Sequence, residues 1–140
     1  MGKEGSVLLL LNEARNLKKQ GHLKEAEEAL RKALKSHPDD PRIQTSLSDV
    51  LFRAGKSAEA RRFLEPVLEE RCTDPNAFLI MGDIHLKDEE PAKALEMFQE
   101  ALKLQDTGYV HSRLARADMA MKDLTRAEES IHKALETDPD

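Results

Sequence analysis

The sequence is poor in the residues that build sheets and in those that staple small secreted domains. Its 140 residues hold one cysteine, Cys72, so no internal disulfide can form and a reducing compartment, the cytoplasm, is the expected setting. Tryptophan is absent, tyrosine occurs once, and valine, isoleucine and threonine together supply 13 residues. That is too little strand-forming material for a sizeable sheet, which excludes all-β and doubly wound α/β folds. No apolar run approaches the ~18 residues that a bilayer span needs. Val7–Leu11 is short for a secretory leader, and Asn12-Glu13 interrupts it at once. The start Met1-Gly2-Lys3-Glu4-Gly5-Ser6 formally fits a short myristoylation pattern and is read as a plain start.

An excess of positive charge is also missing. Lysine and arginine number 22 against 27 aspartates and glutamates, a net charge of −5, and the signs are interspersed. Phosphate binding needs clustered cations, so nucleic acid is not an expected partner. Catalytic constellations are lacking too. The five histidines, at 22, 37, 85, 111 and 132, are too far apart to share a metal on one helical turn. Cys72 has no C-x-x-C partner and no base beside it, and the six glycines form no phosphate loop. His85 reads as a packed core histidine, and Asp39-Asp40 and Glu69-Glu70 as helix ends or solvated faces. The reading is a chain without enzymatic activity, cofactor or metal.

What is abundant is helix-forming material. Alanine, glutamate, lysine, leucine and arginine account for 74 of the 140 residues. They are arranged with a long period. Ala26, Ala60 and Ala94 are spaced by 34 and 34, and Ala127 follows after 33. Leu30, Leu64, Phe98 and Ile131 keep the same intervals, as do Ala33, Val67, Ala101 and Ala134. Three parallel series with one period identify an internal repeat of supersecondary size.

Within each period the local chemistry spells helix, turn, helix. Apolar residues at 23, 26, 29, 30, 33 and 34 occupy one face of a helix, and Phe78, Leu79, Met81, Ile84 and Leu86 mark another. Short breaks are expected within pairs at Gly21-His22, Gly55-Lys56, Asp88-Glu89-Glu90 and Lys122-Asp123. Between pairs they are expected at 37–41, 73–75 and 105–108. Asp40-Pro41 and Asp74-Pro75 read as N-cap plus first helical residue, where the proline's missing N–H costs nothing. Ser57 and Asp123 are candidate caps, Pro91 a helix start, and Pro66 an internal proline expected to kink its helix.

The sequence here resembles the tetratricopeptide repeat family. Residues 7–40 offer Leu10, Ala14, Leu17, Gly21, Ala26, Leu30, Ala33 and Pro38, and residues 41–74 offer Leu47, Ser48, Leu51, Gly55, Ala60, Leu64 and Val67. Residues 75–107 offer Phe78, Met81, Gly82, His85, Ala94, Phe98 and Ala101. Residues 108–140 offer Leu114, Ala115, Ala127, Ile131, Ala134 and Pro139. Residues 1–6 are left as a flexible N-terminus. Departures from the family's pattern include Glu13, Gln44, Cys72, Asp106 and Asp118, and one residue is missing between Ala101 and Ala127. If the deletion shifts the fourth unit's first helix by one, Met119 rather than Asp118 faces inward.

The resemblance implies an all-α helix–turn–helix repeat solenoid, a right-handed superhelix of about four repeats and eight helices. It implies that the first helix of each pair lines a concave groove that binds a peptide or partner surface. Carried over position by position, the groove comprises Leu8, Leu11, Asn12 and Arg15; Arg42, Thr45, Ser46 and Asp49; Asn76, Leu79, Ile80 and Asp83; and Tyr109, Ser112, Arg113 and Arg116. The asparagines suit peptide backbone, the arginines carboxylates, and Leu79-Ile80 and Leu8-Leu11 an apolar anchor. One subfamily clamps chaperone C-termini with Lys and Asn; the matching positions here are Leu11, Arg15, Ser46, Asn76 and Ile80, which do not fit that pattern. Bare Leu124, Ile131 and Leu135, with the apolar first helix and the junction-like Thr137-Asp138-Pro139-Asp140, also allow two alternatives. One is a scaffold that self-associates through apolar ends; the other is the recruitment segment of a longer multidomain protein.

Overall fold

A computed structural model describes residues 3–137. These form seven helices: α1 (Lys3–Lys19), α2 (Leu23–Ser36), α3 (Pro41–Arg53), α4 (Ser57–Glu69), α5 (Pro75–Lys87), α6 (Pro91–Leu104) and α7 (Gly108–Thr137). No strand occurs among the described residues. Met1, Gly2 and the Asp138–Asp140 junction with Pro139 lie outside them. Helix α1 begins at Lys3, N-terminal to the buried Val7.

The three hairpins close by one device. Gly21 (φ 82°), Gly55 (φ 83°) and Glu89 (φ 59°) take the left-handed conformation just past α1, α3 and α5. The next residue's N–H then reaches back five positions, His22 to Leu17, Lys56 to Leu51 and Glu90 to His85, at 2.8–2.9 Å. These bonds satisfy carbonyls that the helix end leaves open. Between hairpins the caps are as expected. Asp40 accepts from the Arg42 N–H at 3.0 Å and Asp74 from the Asn76 N–H at 2.9 Å, each followed by a proline at the first helical position. Pro91 opens α6. Ser57 is not a cap: α4 begins on it after Lys56, and its hydroxyl is buried without a partner. Helix α4 continues past Pro66 to Glu69; Pro66 and Arg62 both face solvent, where water can serve the carbonyl that the proline leaves unbonded.

Helices α1, α3, α5 and α7 form one row and α2, α4 and α6 a second, with each first helix also touching the first helix of the next pair. Two clusters fill the space. One runs from Val7 through Leu30, Leu47, Leu51 and Leu64 to Ile84, and the other joins Leu79, Ala94, Phe98, Ala101, Val110 and Ala117. Central α5 contributes to both, which is why it buries seven of its 13 residues and shows no clean polar face. Ala26, Ala60 and Ala94 are fully buried, as the period requires for close helix approach. At Gly82 the approach is closest: a Cβ there would lie 2.7 Å from Cδ1 and Cζ of the buried Phe98 ring.

Ion pairs tie successive repeats together. Lys18 reaches Asp49 at 2.6 Å, Arg31 bonds Glu59, and Lys56 bonds Glu27 at 3.0 Å. The Glu27 carboxyl is held below the usual range chiefly by its bond to Lys56. His85 is buried as expected, with Nδ1 3.4 Å from Glu90 Oε1.

The last unit departs from the spacing. No break occurs at Lys122-Asp123, and Asp123 caps nothing, because α7 is a single 30-residue helix. The glycine that turns the first two hairpins is Lys122 here. The Lys122–Asp118 pair (3.1 Å) and the Thr125 hydroxyl bond to the Met121 carbonyl (3.0 Å) span the expected turn. Val110, Leu114 and Ala117 pack inward, 33 residues after Ala77, Met81 and Ile84, so the missing residue belongs to the linker before α7. Asp118 and Met119 both remain exposed.

Two predictions follow from this packing. Gly82→Ala forces the Phe98 ring to move in a core without room, and overpacking of this kind outweighs the helix-propensity gain. A net loss of about 1–2 kcal/mol is expected in urea unfolding, largely recovered in Gly82→Ala/Phe98→Leu. Asp40→Ala removes a cap worth about 1 kcal/mol. Bonds from Arg42 hold the Asp40 carboxyl below its usual range. Its contribution is therefore complete above the ordinary aspartate pKa and lost as pH falls through the lower folded value. The gap between wild type and variant should close in urea titrations run from pH 7 down to pH 2.

Candidate functional site

Four first helices present side chains to a common concavity of about 870 Å³. Fourteen of the sixteen carried-over positions line it: Leu8, Leu11, Arg15, Arg42, Thr45, Ser46, Asp49, Asn76, Leu79, Ile80, Asp83, Tyr109, Arg113 and Arg116. Asn12 and Ser112 do not. Both are exposed, and the Ser112 hydroxyl donates to the Tyr109 carbonyl at 2.8 Å. The spacing by 34, then 33, puts matching residues of successive first helices side by side, which is what makes one continuous wall.

The floor and the walls differ. Leu79 and Ile80 are 5% and 9% exposed and belong to the packed clusters, so they form a floor already removed from water rather than a free anchor. Exposed apolar surface comes instead from Leu8 (52%) and Tyr109 (55%), at opposite ends of the row. Thr45 is also in the floor, its hydroxyl buried without a partner.

The charges in the groove divide into engaged and available. Asp40 holds Arg42 at 3.1 Å (Nε) and 2.8 Å (Nη2), which fixes the guanidinium at the rim. Arg113 Nε lies 2.9 Å from Asp83 Oδ1, while its Nη2 donates to the Tyr109 hydroxyl at 2.7 Å and its guanidinium stacks 4.6 Å from that ring. The Nε–H is not aimed at the carboxylate, so the contact is an ion pair without a well-formed hydrogen bond. Burial pushes the Asp83 carboxyl up, against the pull of Arg113. Asp49 is shared by Lys18 and Arg53, at 2.6 and 3.1 Å. Arg15 and Arg116 are exposed, and the charge of Arg116 adds to the pull of Arg113 on Asp83.

Position-by-position transfer misses Lys18, Arg53, Lys87 and Phe52, which reach the same concavity from the ends of first helices. Lys87 lies 5.6 Å from the centre of the Phe52 ring. With these included, seven cationic and three acidic side chains line the groove of a chain whose net charge is −5. The cations are dispersed in sequence and converge only when the helices stack. Cys72 is half-buried at the α4–α5 turn with Sγ 3.5 Å from the Asp74 carbonyl, and burial raises its thiol pKa, opposite to an activated nucleophile. Among the described residues no three of His, Cys, Asp and Glu cluster to hold a metal, and no helix is long and apolar enough to cross a membrane.

Comparisons agree with this geometry. The Tetratricopeptide repeat family model matches residues 11–75 and 52–109. Human tetratricopeptide repeat protein 7A is 30% identical over 86 residues, covering 61% of this chain and 10% of the relative, so the chain spans about a tenth of that protein's length. The NMR structure of the first TPR domain of human RPAP3 superposes with a TM-score of 0.76 at 20% identity, covering 83% of this chain and 92% of that one. The first TPR of Spaghetti (RPAP3), bound to the HSP90 peptide SRMEEVD, superposes with a TM-score of 0.72 at 21% identity over 82% and 92%. With the repeat period, the stacked hairpins and the family match in accord, the chain belongs to the tetratricopeptide repeat family.

Proposed function

We propose that the protein is a non-enzymatic interaction module that binds an extended, acidic peptide or partner segment in the concave groove. The observation that carries this reading is the convergence of seven cations on one concavity of an otherwise acidic chain. Arg15 and Arg116 offer guanidinium groups for carboxylates, and Leu8 and Tyr109 offer apolar surface that a ligand would remove from water. A domain of the same fold is bound to the peptide SRMEEVD, whose sequence contains two glutamates and an aspartate. That likeness concerns the architecture. The chaperone-clamp positions Leu11, Arg15, Ser46, Asn76 and Ile80 do not fit the clamp's pattern position by position, so a different acidic sequence is the expected ligand here.

Selection of a random phage-displayed peptide library on the protein tests this. Recovered peptides should be enriched in Asp and Glu. Their affinity should fall at least tenfold in Arg15→Glu/Arg116→Glu, and by about tenfold or more in Leu8→Asp if Leu8 is an anchor. Raising salt from 0.05 to 0.5 M should weaken binding further, because rim charges are screened. Ile80→Asp is unsuitable, since it breaks the core. Peptides without acidic enrichment, or bound equally by the charge-reversed protein, would overturn the proposal.

A further inference from the structure

We infer that the groove receives a second copy of this chain: the amphipathic second half of α7, residues 123–136, laid as a helix in the concavity of a neighbouring molecule. The inference rests on the groove reading above and names a partner for it. It starts from an apolar stripe without cover. Leu124, Ala127, Ile131 and Leu135 recur at intervals of three and four residues, so they share one face of α7. All four are exposed, the three large ones by 47%, 60% and 60%. Their repeat equivalents show what such a face is for. Ala26, Ala60 and Ala94 match Ala127, and Leu30, Leu64 and Phe98 match Ile131; every one of them is buried in the stack.

The chain does not cover the stripe itself. Helix α7 is unbroken, and its first half forms the end wall of the groove through Tyr109, Arg113 and Arg116. A straight helix that is one wall of a groove does not also lie in it. Folding the second half back as a hairpin would bring Asp118 to the position that Leu51 and His85 bury, and a carboxylate there would lose its water. On the straight helix Asp118 is exposed and pairs with Lys122 at 3.1 Å.

Charge selects the groove as the surface that covers the stripe. Around the helix Asp123 and Glu128 border the stripe on its two sides, whereas Arg126 and Lys133 stand on the opposite face. A helix lying on this stripe presents apolar surface edged by carboxylates and turns its cations to water. Pairing the stripes of two copies would set like charge on like. The groove is complementary instead. It offers apolar surface at Leu8 and Tyr109, the exposed guanidinium groups of Arg15 and Arg116, and an excess of cations over carboxylates. Docking of a helix in a groove uses anchors at i, i+3 and i+7, the spacing of Leu124, Ala127 and Ile131. Donor helix and receiving groove are different surfaces of one molecule, so the contact is heterologous.

The test uses the full chain. Light scattering from 5 to 500 μM should show mass above that of one copy, falling as salt rises from 0.05 to 0.5 M. Ile131→Asp alters the exposed donor face, and Arg15→Glu/Arg116→Glu alters the groove. Each should weaken self-association by about tenfold or more, with helical circular dichroism unchanged. Mixing the two variants combines an intact groove with an intact donor helix and should restore a complex holding one copy of each. A charge-reversed groove that self-associates like the wild type, or variants that stay apart on mixing, would overturn the inference. So would a wild type monomeric throughout the series. If that monomer still binds the selected acidic peptides, the groove reading stands and only this partner falls; if it binds none, both fall.

Discussion

The structure depends on one recurring encounter, a small residue on a first helix receiving a large one from the second. Gly82 and Phe98 show it at its closest, and Ala14, Ser48, Leu30 and Leu64 occupy the equivalent positions elsewhere. The encounter is available only if the chain reverses within two or three residues. That is why Gly21, Gly55 and Glu89 sit at positive φ and why each turn is closed by a five-residue backbone bond. A hairpin formed this way still leaves an apolar side uncovered, and the next hairpin covers it. Burial in the interior and the order of the array are therefore one constraint seen at two scales.

The groove is a by-product of that stacking. First helices touch one another along the row, so residues a period apart become neighbours, and the wall they form inherits whatever charge the period places there. Some of this charge is used structurally: Asp49 joins Lys18 and Arg53, Asp83 holds Arg113, and Asp40 fixes Arg42. The acidic groups of the groove are thus largely engaged, whereas Arg15 and Arg116 face open solvent. Seven cations against three carboxylates leave the lining with an excess of positive charge.

At the far end the same constraint is unmet. Helix α7 enters the stack correctly through Val110, Leu114 and Ala117, then carries on past the point where its predecessors turned. Its second half keeps the spacing of a partner helix and has nothing of its own repeat to pack on.

Much of this was legible in the residues. The period, the helical faces, the caps at Asp40 and Asp74, the start at Pro91 and the inward His85 follow from spacing and side-chain chemistry, because each is decided within a turn or two of chain. The groove's membership was legible wherever a 34-residue offset maps one helix onto the next. Ser57, Asp123 and the turn at Lys122-Asp123 were misjudged from sequence, since a polar residue near an expected boundary does not reveal which position the helix will start or stop on. Three matters were decided only in three dimensions: that Leu79 and Ile80 are floor rather than anchor, that Lys18, Arg53 and Lys87 join the groove, and that α7 stays straight. Composition and period set which surfaces want burial. Which of them obtains it depends on the distances between helices, and those exist only once the stack has formed.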